Sequence, residues 1–212
     1  MPTPKIMAGI GRFQKHFEEN RELYERLAVK GQEPKVLFIT CADSRVAPEL
    51  ITGAEAGDLF VARSIANIVP PYGTGAIGVG AVVEYAVLHV HIEHIVICGH
   101  TDCGGIKGLD VQLNLSREPH LARWLDNARP AQTKVEASGI PPEERHLATV
   151  RENVLLQLEH LRSYDPVREA ERAGTLQLHG WVYYLETGAL ERYDPGARQF
   201  RPLKPAEFVI LD

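Results

Sequence analysis

Cysteine is scarce in this chain: 212 residues include only Cys41, Cys98 and Cys103. So small and odd a number excludes a disulfide framework and points to a reducing compartment, so the expected location is cytoplasmic. Basic residues are not in excess either, since 23 Lys and Arg stand against 28 Asp and Glu, for a formal net charge of −5. Without a positive field, nucleic acid is not an expected partner. No apolar run reaches the roughly 18 residues of a spanning helix, so no membrane partner is expected. Met1-Pro2-Thr3-Pro4-Lys5 lacks the apolar core of a secretory signal. Internal repeats, low-complexity segments and the Cys-x-x-Cys redox spacing are all missing.

What is present reads as an α/β chain of one domain, 1–212, with a helical arm over 1–30. Ile10, Phe13, Phe17, Leu23, Tyr24 and Leu27 recur at helical spacing. After Gly31-Gln32-Glu33-Pro34, the continuous apolar run in 35–40 predicts a buried strand, because alternation would mark a strand with one wet face. A second short strand is expected over 58–63 and a third over 93–98, with His100 following it. Between them, 76–91 reads as a mostly buried helix rich in small residues. Strand, helix and strand in this order predict right-handed crossovers and a parallel sheet. Residues 109–164 read as mainly helical, 176–185 as a strand, Thr187-Gly188 as a hairpin turn, and 190–193 as the returning strand. Phe208 to Leu211 reads as a last strand or a packed tail.

The chemistry concentrates in two patches, Cys41-Ala42-Asp43-Ser44-Arg45 and His100-Thr101-Asp102-Cys103-Gly104-Gly105. Each lies just past the carboxyl end of a predicted parallel strand, where crevices of open α/β sheets form. Cys41 alone reads as a small core residue. His100-x-x-Cys103 changes this, because a two-residue spacer lets both side chains reach one tetrahedral ion. Two thiolates and one imidazole suit Zn²⁺, and three protein ligands leave the fourth vertex to water, as in catalytic sites. Asp43 can block that vertex. Arg45, gripping the carboxylate bidentately, keeps it ionised and turned aside as a hydrogen-bond acceptor. Gly104 and Gly105 read equally as a turn and as amides offered to an anion. Asp102 is close enough in sequence to be a fourth, closing ligand.

The order Cys41-x-Asp43-x-Arg45, Ala66-Asn67, Glu84-Tyr85-Ala86 and Gly99-His100-x-x-Cys103-Gly104-Gly105 resembles the beta-class carbonic anhydrases over residues 6–110. His179-Gly180-Trp181-x-Tyr183 is similar to the family's C-terminal strand pair, whereas 111–175 match only loosely. The wording around Lys30-Gly31-Gln32, Val69-Pro70-Pro71-Tyr72 and Ile106-Lys107-Gly108 is similar to the plant-type branch.

The resemblance implies a mostly parallel central sheet with an added antiparallel strand, flanked by helices, and N-terminal helices extending over a dimer partner. It implies a homodimer or a larger assembly of dimers, and Zn²⁺ on Cys41, His100 and Cys103, with Asp43 joining only in an inactive closed state. The implied reaction is reversible hydration of carbon dioxide to bicarbonate by metal-hydroxide attack. Asp43 and Arg45 are the implied catalytic pair, and Gln32, Phe60, Ile65, Tyr85 and Gly104 the implied substrate contacts. An apolar wall suits uncharged carbon dioxide, with one amide to orient an oxygen. Some bacterial members switch off by binding bicarbonate beside a tryptophan three residues before the first zinc cysteine. Phe38 stands there and has no N–H to donate, so the resemblance implies no such switch, although Arg63 and Tyr183 are present.

Three other readings compete. Relatives hydrolyse carbon disulfide or carbonyl sulfide with the same ligands. A non-catalytic zinc-binding assembly protein would lack Asp43 or Arg45, or would carry a fourth ligand. A nucleotide binder fails on context, since Gly73-x-Gly75-x-x-Gly78 follows a Pro-Pro loop and not a strand.

Overall fold

The computed structural model describes residues 3–75 and 77–204, so the expectation for 208–211 lies outside the described residues. The chain divides into two units, Met1–Glu33 and Pro34–Asp212.

The first unit is two helices, α1 (Pro4–Glu19) and α2 (Arg21–Lys30). Pro4 suits a first helical turn, where its missing N–H costs nothing. Asn20 ends α1, its side-chain amide donating to the His16 carbonyl at 2.9 Å. Phe17 and Tyr24 stack across the corner with ring centroids 4.7 Å apart. Gly31, at φ 85°, closes α2 in a backbone region that side chains disfavour.

The second unit runs β1 (Val36–Cys41), α3 (Pro48–Thr52), β2 (Leu59–Ser64), α4 (Ile77–Tyr85), β3 (His94–His100), α5 (Gly104–Lys107), α6 (Pro119–Leu125), α7 (Arg129–Ala137), α8 (Pro142–Leu161), α9 (Asp165–Ala173), β4 (Gln177–Tyr183), β5 (Leu190–Asp194) and β6 (Gln199–Pro202). One sheet has the order β2-β1-β3-β4-β5-β6. The first four strands are parallel, and the β4–β5 and β5–β6 pairings are antiparallel. The expected antiparallel addition is therefore two strands. β6 follows an Asp194-Pro195-Gly196 turn, and Phe200 is its only large apolar residue.

The continuous apolar runs of β1 and β3 fill the centre of this sheet. Leu37, Ile39, Ile95 and Ile97 are fully buried in one cluster, while Phe38, Val96 and Cys98 form a smaller one on the other face. Burial pushes the Cys98 thiol up to about 12, as expected of a cysteine that acts as core. On the first face, α8 lies close because two strand residues lack side chains. A Cβ on Gly99 would stand 2.8 Å from Val154 Cγ2, and one on Gly180 would stand 2.9 Å from Val154 Cγ1. Val154 thus sits astride β3 and β4 in a notch that only glycine leaves open. Gly180→Ala is expected to destabilise the protein by about 1–3 kcal/mol, the usual cost of overfilling a packed core. Thermal or urea unfolding measures this.

Two expectations need correction. The helix in 76–91 is not mostly buried: Gly80, Val83 and Ala86 form its buried stripe, whereas Ile77 is 80% exposed. The helix packs on α9 along one side only, and its last turn, Ala86–Val90, widens to a π-helical one. In addition, β3 runs two residues further than the apolar pattern indicates, so His100 is its last residue and does not follow it.

Candidate metal centre

β1 and β3 are hydrogen-bonded parallel neighbours, so their carboxyl ends lie side by side. Cys41 ends β1, His100 ends β3, and Cys103 stands immediately before α5. Two cysteines separated by β2 and α4 in sequence thereby bring their sulfurs within 4.0 Å. The Cys41, His100 and Cys103 donor atoms all lie within 4.8 Å of one another, and all three residues are buried.

His100 presents one nitrogen to this point. Its Nδ1 lies 2.8 Å from the Thr101 carbonyl oxygen. A carbonyl only accepts, so Nδ1 carries the proton and Nε2 is left with its lone pair. Among the described residues, that buried Nε2 has no hydrogen-bond partner. A buried polar atom without a partner is costly unless something else engages it. The sulfur separation is also suitable, since two sulfurs on a tetrahedral ion at about 2.3 Å stand about 3.8 Å apart. The donor set therefore fits Zn²⁺ in type, direction and spacing.

The sulfurs themselves are poised unequally. A hydrogen bond from Cys103 brings the Cys41 thiol well below its ordinary range, assisted by His100 and by the backbone amides of Asp43 and Ala66. The Cys103 thiol moves up, because the Cys41 thiolate shares its proton and burial disfavours a second charge. Two sulfurs this close give up one proton readily and resist losing the second. A divalent cation between them removes that conflict.

Asp43 stands beside these donors and is held away from them. Arg45 grips it from three directions: Nη2 to Oδ2 at 2.7 Å, Nε to Oδ1 at 3.0 Å, and the backbone amide to Oδ1 at 2.9 Å. Its Oδ2 remains 3.9 Å from His100 Nε2. The Arg45 guanidinium holds the Asp43 carboxyl well below the usual carboxylate range. Asp102 does not close the site. One of its oxygens accepts from Arg45 Nη1 at 2.8 Å and the other is paired with Lys107. Lys107 first, and Arg45 with it, bring Asp102 down to about 2.

Several residues that brace this centre carry no signal of that role in the sequence. Arg63 donates to the Cys41 carbonyl at 3.2 Å and to the Asp43 carbonyl at 2.6 Å, fixing the backbone that carries both. Asn153 on α8 donates to the Ala66 carbonyl at 3.0 Å, and the Gln157 carbonyl oxygen accepts from the Val69 amide at 2.9 Å. These bonds hold a turn whose Ala66 and Asn67 take left-handed φ values of 56° and 49°. Trp124 Nε1 donates to the Ile65 carbonyl at 2.9 Å on the same turn. Gly105 is explained by packing, since a Cβ there would meet Ala66 Cβ and Ile65 Cγ2, each at 2.9 Å. Gly104 has open space in the same position.

The expected substrate contacts are spread over several elements. Phe60 and Tyr85 stack, with centroids 6.0 Å apart and planes 25° apart. Tyr85 and Ile65 are 50% and 41% exposed. Gln32 belongs to the N-terminal unit. Phe38 lies in the smaller core cluster, edge-on to Trp181 at 5.9 Å. No helix among the described residues is long and apolar enough to cross a membrane.

Fold and site together define a group of two cysteines and one histidine able to hold a metal ion at the carboxyl edge of a parallel sheet. Comparisons with known proteins are specific. The family model described as carbonic anhydrase matches residues 36–190. A carbonic anhydrase from Pseudomonas aeruginosa is 43% identical over 197 residues, covering 92% of this chain and 89% of that protein. The solved beta-carbonic anhydrase CcaA superposes with a TM-score of 0.88 at 39% identity, covering 94% and 98% of the two chains. A tetrameric beta-carbonic anhydrase from Sordaria macrospora gives 0.77 at 31% identity, covering 89% and 94%. The chain belongs to the carbonic anhydrase family, in its beta class, and is a lyase.

Proposed function

We propose that the chain holds Zn²⁺ through Cys41 Sγ, His100 Nε2 and Cys103 Sγ and interconverts carbon dioxide with bicarbonate and a proton. The observation that carries this is the convergence of three buried donors while Arg45 and Lys107 engage the flanking carboxylates of Asp43 and Asp102. When bound, the ion supplies a nucleophile at neutral pH by acidifying a water.

The chain's own residues do the rest. Asp43, ionised and turned aside by Arg45, accepts a hydrogen bond from that water and sets which lone pair faces the substrate. Its negative charge does not help to acidify the water, so its contribution is orientation. Phe60, Ile65 and Tyr85 offer an apolar wall to an uncharged gas, and Gly104 allows close backbone approach. A homodimer accords with half-exposed Tyr85 and Ile65 and with Leu50 and Ile77, which are 86% and 80% exposed. Apolar side chains so exposed favour burial against a second copy. A cytoplasmic location accords with three unbridged cysteines.

The test combines zinc analysis with stopped-flow hydration of carbon dioxide on purified protein, with carbon disulfide and carbonyl sulfide assayed alongside. About one zinc per chain is expected, with carbon dioxide as the preferred substrate and activity lost on chelation. Zinc-loaded protein that hydrates carbon dioxide no faster than buffer would sink the reading.

A further inference from the structure

The residue after His100 is tied to a hairpin far away in sequence. Thr101 continues the β3–β4 ladder, its amide donating to the Tyr183 carbonyl at 2.9 Å. Its hydroxyl then makes two bonds to the β4–β5 turn. It donates to Glu186 Oε2 at 2.8 Å and accepts from the Leu185 amide at 3.0 Å. The turn has its own frame, with Tyr184 and Ala189 joined amide to carbonyl at 2.9 Å and Gly188 at φ 73°. Thr101 is only 8% exposed, so its hydroxyl depends on these two partners.

The carbonyl of this anchored residue is the acceptor for His100 Nδ1. The next residue, Asp102, has a left-handed φ of 56°, a conformation that Asp adopts more readily than most residues. The peptide plane between them is therefore held on its amino side by the hairpin and turned on its carboxyl side by Asp102. That plane sets the direction of the carbonyl, and the carbonyl sets the tautomer and tilt of the imidazole. Partners of this kind commonly govern metal affinity by 10–100-fold without touching the ion.

We infer that Thr101 and Glu186 are positioning residues of the metal centre: they lock the β4–β5 hairpin to the His100 peptide and so aim Nε2. This rests on the zinc reading above. A loosened hairpin lets the Thr101 carbonyl rotate, and the ring then loses the bond that holds Nε2 on its line.

The test measures the zinc dissociation constant by competition with a chromophoric chelator, and the unfolding temperature of the zinc-free protein. Thr101→Val keeps the shape and removes both hydroxyl bonds. It is expected to weaken zinc binding by about tenfold or more, while Thr101→Ser, which keeps the hydroxyl, restores affinity to near that of the unaltered chain. Glu186→Ala, on the exposed turn, is expected to cost several-fold with little change in the zinc-free unfolding temperature. If Thr101→Val does not fold without metal, Glu186→Ala carries the test alone. Zinc affinity within about twofold of the unaltered chain in Glu186→Ala, or in a folded Thr101→Val, overturns the inference and leaves the zinc reading standing. Failure of the unaltered chain to bind zinc overturns both.

Discussion

Arg45→Ala is expected to cut carbon dioxide hydration by about 10²-fold or more while zinc stays bound, the scale of loss when a reacting group is misplaced by about an ångström. Among the described residues, Arg45 makes every hydrogen bond on the Asp43 carboxylate, and only the one from its backbone amide survives the substitution. Asp43 Oδ2 is already 3.9 Å from His100 Nε2, the nitrogen proposed to hold the ion. Released, a carboxylate this close would be free to ligate a bound Zn²⁺, because Asp oxygen is one of that ion's usual ligands. Zinc analysis of the variant is expected to read as for the unaltered protein, and X-ray absorption to show a carboxylate oxygen beside two sulfurs and one nitrogen. Arg45→Lys is expected to be nearly as damaging, since an ammonium cannot make the side-on pair of bonds that Nε and Nη2 make. Full turnover in Arg45→Ala would remove the gate from the mechanism.

Cys41→Ser is expected to lose the metal itself. A serine hydroxyl stays protonated at neutral pH, whereas the hydrogen bond from Cys103 holds the Cys41 thiol well below its ordinary range. The substitution therefore replaces a ready anion with a neutral group at the end of β1. The loss in zinc affinity is expected to exceed the 10–100-fold typical of partners that do not touch the ion. Elemental analysis after gel filtration reads this directly. Circular dichroism is expected to show the fold retained, because the neighbouring core residues Leu37 and Ile39 are untouched. Zinc retained in full by Cys41→Ser would remove that sulfur from the ligand set.

The site was legible in sequence to the extent that strand ends were legible. Continuous apolar runs mark β1 and β3, and parallel neighbours necessarily bring their carboxyl-terminal loops to one edge. Cys41, His100 and Cys103 could therefore be grouped from sequence alone. The bracing around them could not. Asp102 accepts from Arg45 and takes a left-handed φ, and nothing in the sequence signals either. Arg63 acts through backbone carbonyls, which have no sequence signature. Thr101 and Glu186 meet through the register of β3 on β4, 85 residues apart. Short elements were missed for a related reason: α9 and β6 carry few apolar residues. The misreading of α4 has another cause. Apolar periodicity reports that a face avoids water, and it does not say whether the cover comes from the same chain.

Helix α8 touches two parts of the molecule at once. Near its middle Val154 drops into the glycine notch of β3 and β4, while Asn153 and Gln157 reach the strained turn that adjoins the first thiolate. The helix cannot lift from the sheet without tugging that turn. Crowding at Gly180 would thus be felt in the donor geometry as well as in the melting curve, so one added methyl group would cost the molecule both firmness and chemistry.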